Sequence, residues 1–332
     1  MSLKTIEVEH LSKVYGSTTA IKDIHFSVDE GEIVGFLGPN GAGKTTTMRI
    51  LAGYLPATAG TARIAGYDVH RHSLEVRRRI GYLPETPPLY PDMSVKGFLT
   101  FVAKIKGVRA GDRQRQVSNA MAKCQLFERQ DTIIRKLSQG YRQRLGIAQA
   151  IVHEPSVIIL DEPTVGLDPR QIIEVRNLIK SLAGDRTVIL STHILPEASM
   201  ICDRVTIINH GKVVTSNTPL NLQAQLASNS GYEVEIAGSI DKIVPLLSAI
   251  PGVVRVATVD WDSKQQSDRH LLQVACANNS EPGKDIAAAI IQQKLELYEM
   301  RRTRPSLEDV FLELTTEESL TVDNEQLTTD NS

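Results

Sequence analysis

Only three cysteines, Cys124, Cys202 and Cys276, occur in 332 residues, and no two form a CxxC pair. Their scarcity argues against a disulfide framework or a cysteine-built zinc site and fits a reducing compartment. Long apolar runs are missing too: no stretch approaches the roughly 20 residues needed to span a bilayer. The opening residues 1–7 carry acidic character before an apolar run can form, so no secretory signal peptide is expected. Lysine and arginine (37) nearly balance aspartate and glutamate (39), a formal net charge of −2. That balance gives no electrostatic reason to expect a nucleic-acid partner. The one basic run, Arg77-Arg78-Arg79, is short, precedes an apolar segment and reads as a solvated patch. If the chain works at a membrane, the spanning part must belong to another chain.

Apolar residues make up 41% and charged residues 23%, enough for an ordinary packed core. The length suits one large domain plus a smaller one, or two of moderate size. Residues 33–37 form a compact apolar run between an Asp-Glu-Gly turn and a Gly/Pro/Asn cluster, as a buried strand does. A helix-compatible stretch, 45–52, follows and stops at Gly53. Further buried strands are expected at 157–160, 187–190 and 205–208. Strands alternating with helices imply an α/β layered domain with a largely parallel sheet. Over 94–139 the pattern turns helical, with Ser94 as N-cap and a stripe of Phe98, Phe101, Val102 and Ile105. This predicts a helical insertion at about 87–140.

Beyond Pro219 the character changes. Strands are expected at 232–236, 253–259, 271–275 and 295–299, and helices at 240–249 and 286–294. That βαββαβ order is the ferredoxin-like arrangement and predicts a small α+β accessory domain over 219–315. A closing helix is expected at 306–314, and a polar, acidic, disordered tail at 316–332.

Residues 38–45, Gly-Pro-Asn-Gly-Ala-Gly-Lys-Thr, fit G-x-x-x-x-G-K-[ST] between the first buried strand and its helix. Glycines let backbone N–H groups turn around a phosphate without a Cβ in the way, and the helix N-terminus adds partial positive charge. Gly38, Pro39, Asn40, Gly41, Ala42, Gly43 and Thr46 are therefore candidate nucleotide contacts. Lys44 can reach the β- and γ-phosphates, and the Thr45 hydroxyl can ligate Mg²⁺. Such a site also needs a carboxylate for the metal. Asp161 and Glu162, at the end of the 157–160 strand, supply one 117 residues beyond Lys44. Asp161 would sit beside the metal, and Glu162 could take a proton from the attacking water. Alone, this would read as a strand ending in a solvated acidic turn.

Residues 137–141, Leu-Ser-Gln-Gly-Tyr, followed by Arg-Gln-Arg, resemble the signature of ABC ATPases, usually Leu-Ser-Gly-Gly-Gln. The resemblance covers about residues 4–218, with several motifs in the family's order. It implies a P-loop NTPase core of ABC type with a helical insertion, over domain 1–218. It further implies that Ser138 and Gly140 contact the γ-phosphate bound to the opposite subunit, in a head-to-tail homodimer with two composite ATP sites. By the same resemblance, Tyr15 matches the aromatic that stacks on adenine, His193 the switch histidine, and Asp168 the loop linking the two sites. The alternatives are an exposed strand aromatic for Tyr15, a helix cap for Ser138 and a turn aspartate for Asp168. Glu85 stands where the family usually has glutamine and keeps a metal- or water-binding role. Gln139 and Tyr141 depart from the signature, whereas Ser138 and Gly140 keep it.

The proline-rich segment 85–91 matches the junction that, in the family's transporters, receives a helix from the permease. The stretch 304–315 resembles the ending of ATPase subunits from ABC-2-type exporters of the drug, polysaccharide and gliding-motility groups. An ATP- and Mg²⁺-dependent subunit is thus expected, peripheral on the cytoplasmic face and driving a separate integral-membrane permease. The rivals are the ATPase of an importer, a non-transport ABC ATPase of translation or DNA maintenance, and a regulatory module that has lost hydrolysis. Intact Lys44, Thr45, Asp161, Glu162 and His193 oppose the last.

Overall fold

A computed structural model describes residues 4–184, 186–225, 231–259, 269–277 and 280–303. The chain divides into two compact units, one ending at Pro219 and the other beginning at Leu220. The expected closing helix 306–314 and tail 316–332 lie outside the described residues.

In the first unit, β1 (Lys4–Tyr15) and β2 (Thr18–Asp29) pair antiparallel. They are joined by β4 (Ala59–Ile64) and β5 (Tyr67–Asp68) in a four-stranded sheet, β2-β1-β4-β5. The second sheet holds β3 (Ile33–Leu37), β6 (Ile80–Leu83), β7 (Val157–Asp161), β8 (Thr187–Thr192), β9 (Arg204–Asn209) and β10 (Lys212–Asn217). Its order is β10-β9-β3-β8-β7-β6, parallel except for the β10–β9 hairpin. Every residue of β3, β7 and β8 is buried, which is why these strands read as continuous apolar runs rather than alternating ones. Phe36, Ile159 and Ile189 pack with Met48, Ile50 and Leu51 in one core cluster. In register, Asp161 lies beside Ser191 and Leu37 beside Thr192. The carboxyl ends of β3, β7 and β8 therefore open on one edge of the sheet, where ligands of parallel α/β sheets bind.

Helix α1 (Lys44–Leu51) follows β3, beginning one residue before the expected stretch. After α2 (Ser73–Arg79) and β6 come α3 (Val95–Ile105) and α4 (Ala110–Lys123), then α5 (Gln139–Ile151). Ser94 caps α3, its hydroxyl accepting from the Gly97 N–H. The buried face of α3 is Val95, Phe98, Leu99 and Ala103; of the expected stripe Phe98 is buried and Val102 half-buried, whereas Phe101 and Ile105 are exposed. The Phe101 ring packs edge-on against Tyr90, 5.5 Å away. Helices α6 (Pro169–Leu182) and α7 (Leu195–Ile201) complete the coverage, and α8 (Pro219–Gln225) stands at the boundary between the units.

The second unit holds β11 (Gly231–Ala237), α9 (Ile240–Ser248), β12 (Val253–Val259), β13 (Arg269–Cys276), α10 (Gly283–Gln292) and β14 (Glu296–Thr303). The antiparallel order is β12-β13-β11-β14, the split βαβ arrangement expected from element order. Val234, Ile236, Leu272 and Val274 cluster with Ile243, Leu247, Ile286 and Ile290 from its two helices. Among the described residues of both units, no helix is long and apolar enough to cross a membrane.

Candidate active site

The loop between β3 and α1 lines an open cleft of about 410 Å³. Asn40, Gly41, Gly43, Lys44, Thr45, Thr46, Glu85, Glu162 and His193 form its walls together with Ala20 and Val165. Two glycines are sterically required. A Cβ on Gly38 would stand 2.3 Å from the Ile208 carbonyl oxygen. At Gly43, φ is +105° and a Cβ would come within 2.7 Å of the Ala20 carbonyl oxygen. Gly43 caps α1 with no side-chain hydrogen bond, so the first-turn N–H groups of α1 face the cleft as an anion site. Ala42 braces the loop through its own N–H, 3.2 Å from Pro39 O, and its carbonyl, which accepts from Gly211.

Lys44 is only 6% exposed. Its ammonium donates to the Gly38 and Pro39 carbonyls at 2.8 and 3.2 Å, and Glu162 Oε1 lies 3.4 Å away. That carboxylate balances the buried charge. Thr45 Oγ1 donates to Asp161 Oδ1 at 3.1 Å, and Ser191 Oγ donates to the same oxygen at 2.6 Å. Asp161 Oδ2 is buried with no hydrogen-bond partner among the described residues. Burial pushes the Asp161 carboxyl above its usual range, and the charges of Glu162 and Glu85 push the same way, against the Ser191 and Thr45 hydrogen bonds.

Glu162 has φ +48°, a left-handed conformation rare for a side chain of this size. Its N–H donates to Ser191 Oγ at 2.9 Å, and its Oε2 accepts from His193 Nδ1 at 3.0 Å. The following residues are tied from two helices: Gln143 Nε2 donates to Pro163 O, and Thr164 Oγ1 to Glu197 Oε2, both at 2.7 Å. Ser191 and Gln143 are site-supporting residues that sequence reasoning missed. The available signals were a hydroxyl closing an apolar strand and an amide on the buried side of α5.

A partnerless buried carboxylate oxygen beside a threonine hydroxyl and an open cleft suits a hard divalent cation. Among the described residues no group of three or more His, Cys, Asp or Glu side chains could hold a metal by itself. Asp161, Thr45 and Glu85 thus fit Mg²⁺, which would need its other oxygens from water or a phosphate.

The other expected site residues lie outside this cleft in one copy of the chain. Tyr15 ends β1, 46% exposed, with the Lys13 ammonium 5.1 Å from its ring centre. Ser138 caps α5, accepting from the Tyr141 N–H, and Asp168 caps α6, accepting from the Gln171 N–H at 2.9 Å. Gly140 lies against Gln171: a Cβ there would approach its side-chain amide to 2.7 Å. A second hollow of about 470 Å³ is lined by Thr86, Pro87, Leu89, Arg142 and Gln143 among others. Glu85 and Val165 belong to the walls of both.

A family profile described as ABC transporter matches residues 21–165. The daunorubicin resistance ATP-binding protein DrrA3 of Streptomyces coeruleorubidus is 32% identical over 320 residues, 95% of this chain and 97% of that protein. The bacitracin transport ATP-binding protein BcrA of Bacillus licheniformis is 40% identical over 211 residues, 63% of this chain and 68% of that protein. A solved structure of the ATP-binding subunit of an ABC transporter is 32% identical with a TM-score of 0.60, covering 67% of this chain and 92% of that one.

Proposed function

The chain belongs to the ABC transporter ATP-binding proteins, as an ATPase of their drug- and antibiotic-exporter type, and on that premise we propose that two copies hydrolyse Mg²⁺-ATP at shared sites to drive a separate export permease. The observation that carries this is the Asp161–Glu162 pair. One carboxylate has an oxygen without a partner beside Thr45, and the next faces Lys44 and His193.

Each residue has a role that its surroundings support. The first-turn N–H groups of α1 and Lys44 bind the β- and γ-phosphates, and Thr46 lines the same pocket. Thr45, Asp161 and Glu85 would hold the metal, which would neutralise charge on the phosphoryl oxygens. Once phosphate draws the Lys44 ammonium, Glu162 is left facing the cleft with His193 on its other oxygen. It is then placed to accept the proton of an attacking water, with His193 orienting it. Tyr15 stacks on the adenine. Ser138, exposed at the start of α5 in one copy, and Gly140, buried against Gln171 two residues on, complete the site of the other, and Asp168 at the head of α6 links the two. Gln139 and Tyr141 depart from the usual signature without removing either the hydroxyl or the glycine.

The hollow lined by Pro87, Leu89 and Arg142 shares Glu85 with the nucleotide cleft. A permease segment seated there would respond to closure around nucleotide. The subunit would then work as a peripheral protein on the cytoplasmic membrane face, with no role for nucleic acid. The test is affinity purification of tagged E162Q protein with Mg²⁺-ATP from detergent-solubilised membranes of its own source. A stoichiometric partner with several hydrophobic spans is expected; ribosomal or chromosomal proteins without one would overturn the transport role.

A further inference from the structure

Arg144 stands on α5, six residues after the Ser138 cap, and is largely withdrawn from solvent, with 13% of its side chain exposed. Its guanidinium donates to Gln125 Oε1, just beyond α4, at 2.8 Å. It also donates to Glu174 Oε2 on α6. The same group lies 5.7 Å from the ring centre of Tyr141, and Arg129 approaches that ring at 5.4 Å. Tyr141 in turn donates its N–H to the Ser138 hydroxyl. Glu174 is held from its own helix by Arg170 at 3.5 Å and lies six residues after the Asp168 cap. One part-buried cation thus joins the end of α4, the first turns of α5 and the first turns of α6.

We propose that Arg144 is a positioning residue for hydrolysis: it sets the angle at which α5 and α6 present Ser138 and Asp168 to a second copy. This rests on the two-copy site proposed above. The physics is that of a planar fork with fixed directions. Arg144 can satisfy the Glu174 carboxylate and the Gln125 amide together only at one spacing of the three segments. Breaking the part-buried pair leaves Glu174 to Arg170 and water and removes the one contact that ties its helix to α5 through this fork. Tyr141 places a ring, rather than a flexible amide, against that fork. None of these groups lines the Lys44 cleft, so the effect should appear at assembly and turnover and not in the first binding of nucleotide.

The test compares wild type, R144A, R144K, E174Q and the exchanged pair R144E/E174R. It measures nucleotide affinity of the isolated monomer, ATP-driven dimerisation in the E162Q background, and steady-state ATPase with its dependence on protein concentration. R144A and E174Q should lower turnover and weaken dimerisation by about tenfold, with monomer nucleotide affinity held within about twofold. The exchanged pair should recover part of the loss, and R144K less, because an ammonium lacks the fork. R144K and E174Q keep most of the side-chain volume and serve if R144A fails to fold. Turnover and dimerisation within about twofold of wild type in both R144K and E174Q would overturn the positioning role. So would a loss confined to monomer nucleotide affinity. Wild-type protein that neither hydrolyses ATP nor dimerises would instead overturn the proposed function on which it rests.

Discussion

His193 Nδ1 lies 3.0 Å from Glu162 Oε2, although 31 residues separate them in sequence. Each follows the end of a strand, β7 or β8, and those strands are parallel neighbours with Asp161 beside Ser191. The sheet therefore aligns the proposed base and the group proposed to orient it at one edge.

Glu162→Gln keeps the shape of the side chain and its contact with His193 but removes the proton acceptor. Turnover should fall by roughly 10² to 10⁴-fold while nucleotide binding persists, so that an ATP-bound dimer accumulates. Gel filtration with excess Mg²⁺-ATP checks this; tight nucleotide binding by a species that stays monomeric would count against it.

Asp161→Asn separates stability from function. Burial raises the Asp161 carboxyl above its ordinary range, so the folded chain holds that proton more readily than the unfolded chain does. The ionised group consequently costs stability at neutral pH, and the cost is relieved as pH falls through the raised value toward the ordinary one. In nucleotide- and metal-free protein, D161N should melt higher than wild type at pH 7, by a margin that narrows on acidification. Mg²⁺-dependent hydrolysis should disappear. A lower melting temperature at neutral pH would refute the stability half.

Ser191→Ala takes the hydroxyl from between Asp161 Oδ1 and the Glu162 N–H, leaving the N–H buried and unbonded. The expected cost is about 1–3 kcal/mol, read from the urea midpoint. Hydrolysis should fall as well, because Glu162 loses the bond that holds its left-handed backbone. Unchanged stability would mean that a water replaces the hydroxyl.

His153 is pulled down to about 4, first by burial and then by the charges of Lys106 and Arg186, against a hydrogen bond to the Ile80 carbonyl. Its folded value is below its unfolded one, so the neutral ring stabilises the fold fully above about pH 6.5. That contribution, of order 3 kcal/mol at most, is lost as pH falls from there toward 4. Denaturation midpoints measured from pH 7.5 to 4.5 should drop less steeply in H153Q than in wild type. Parallel slopes would remove His153 from the account.

Much of the fold was legible because the buried parallel strands announce themselves as short apolar runs. Residues 33–37 match β3, and 157–160 and 187–190 fall within β7 and β8. The βαββαβ order of the second unit was legible in the same way, though β14 runs on to Thr303. The α3 stripe was legible only in part, at Phe98. On a helix with neighbours on more than one side, apolar spacing leaves open which side is buried, and packing favoured Leu99 and Ala103 over Phe101 and Ile105. Ser191 was hidden for a different reason: its role depends on Asp161, 30 residues away in sequence and adjacent only through the β7–β8 pairing.

Local order in the chain determines which groups exist and in what sequence they occur. A glycine-rich turn before a helix and an Asp-Glu after an apolar strand need only neighbouring residues to be recognised, because their chemistry is built into a few consecutive peptides. Tertiary structure decided the pairings: Lys44 with Glu162, Asp161 with Ser191, and Arg144 with Glu174 and Gln125. Those contacts depend on strand order and helix packing. Both are settled by burying apolar surface across the whole unit, and no local stretch of sequence carries that information.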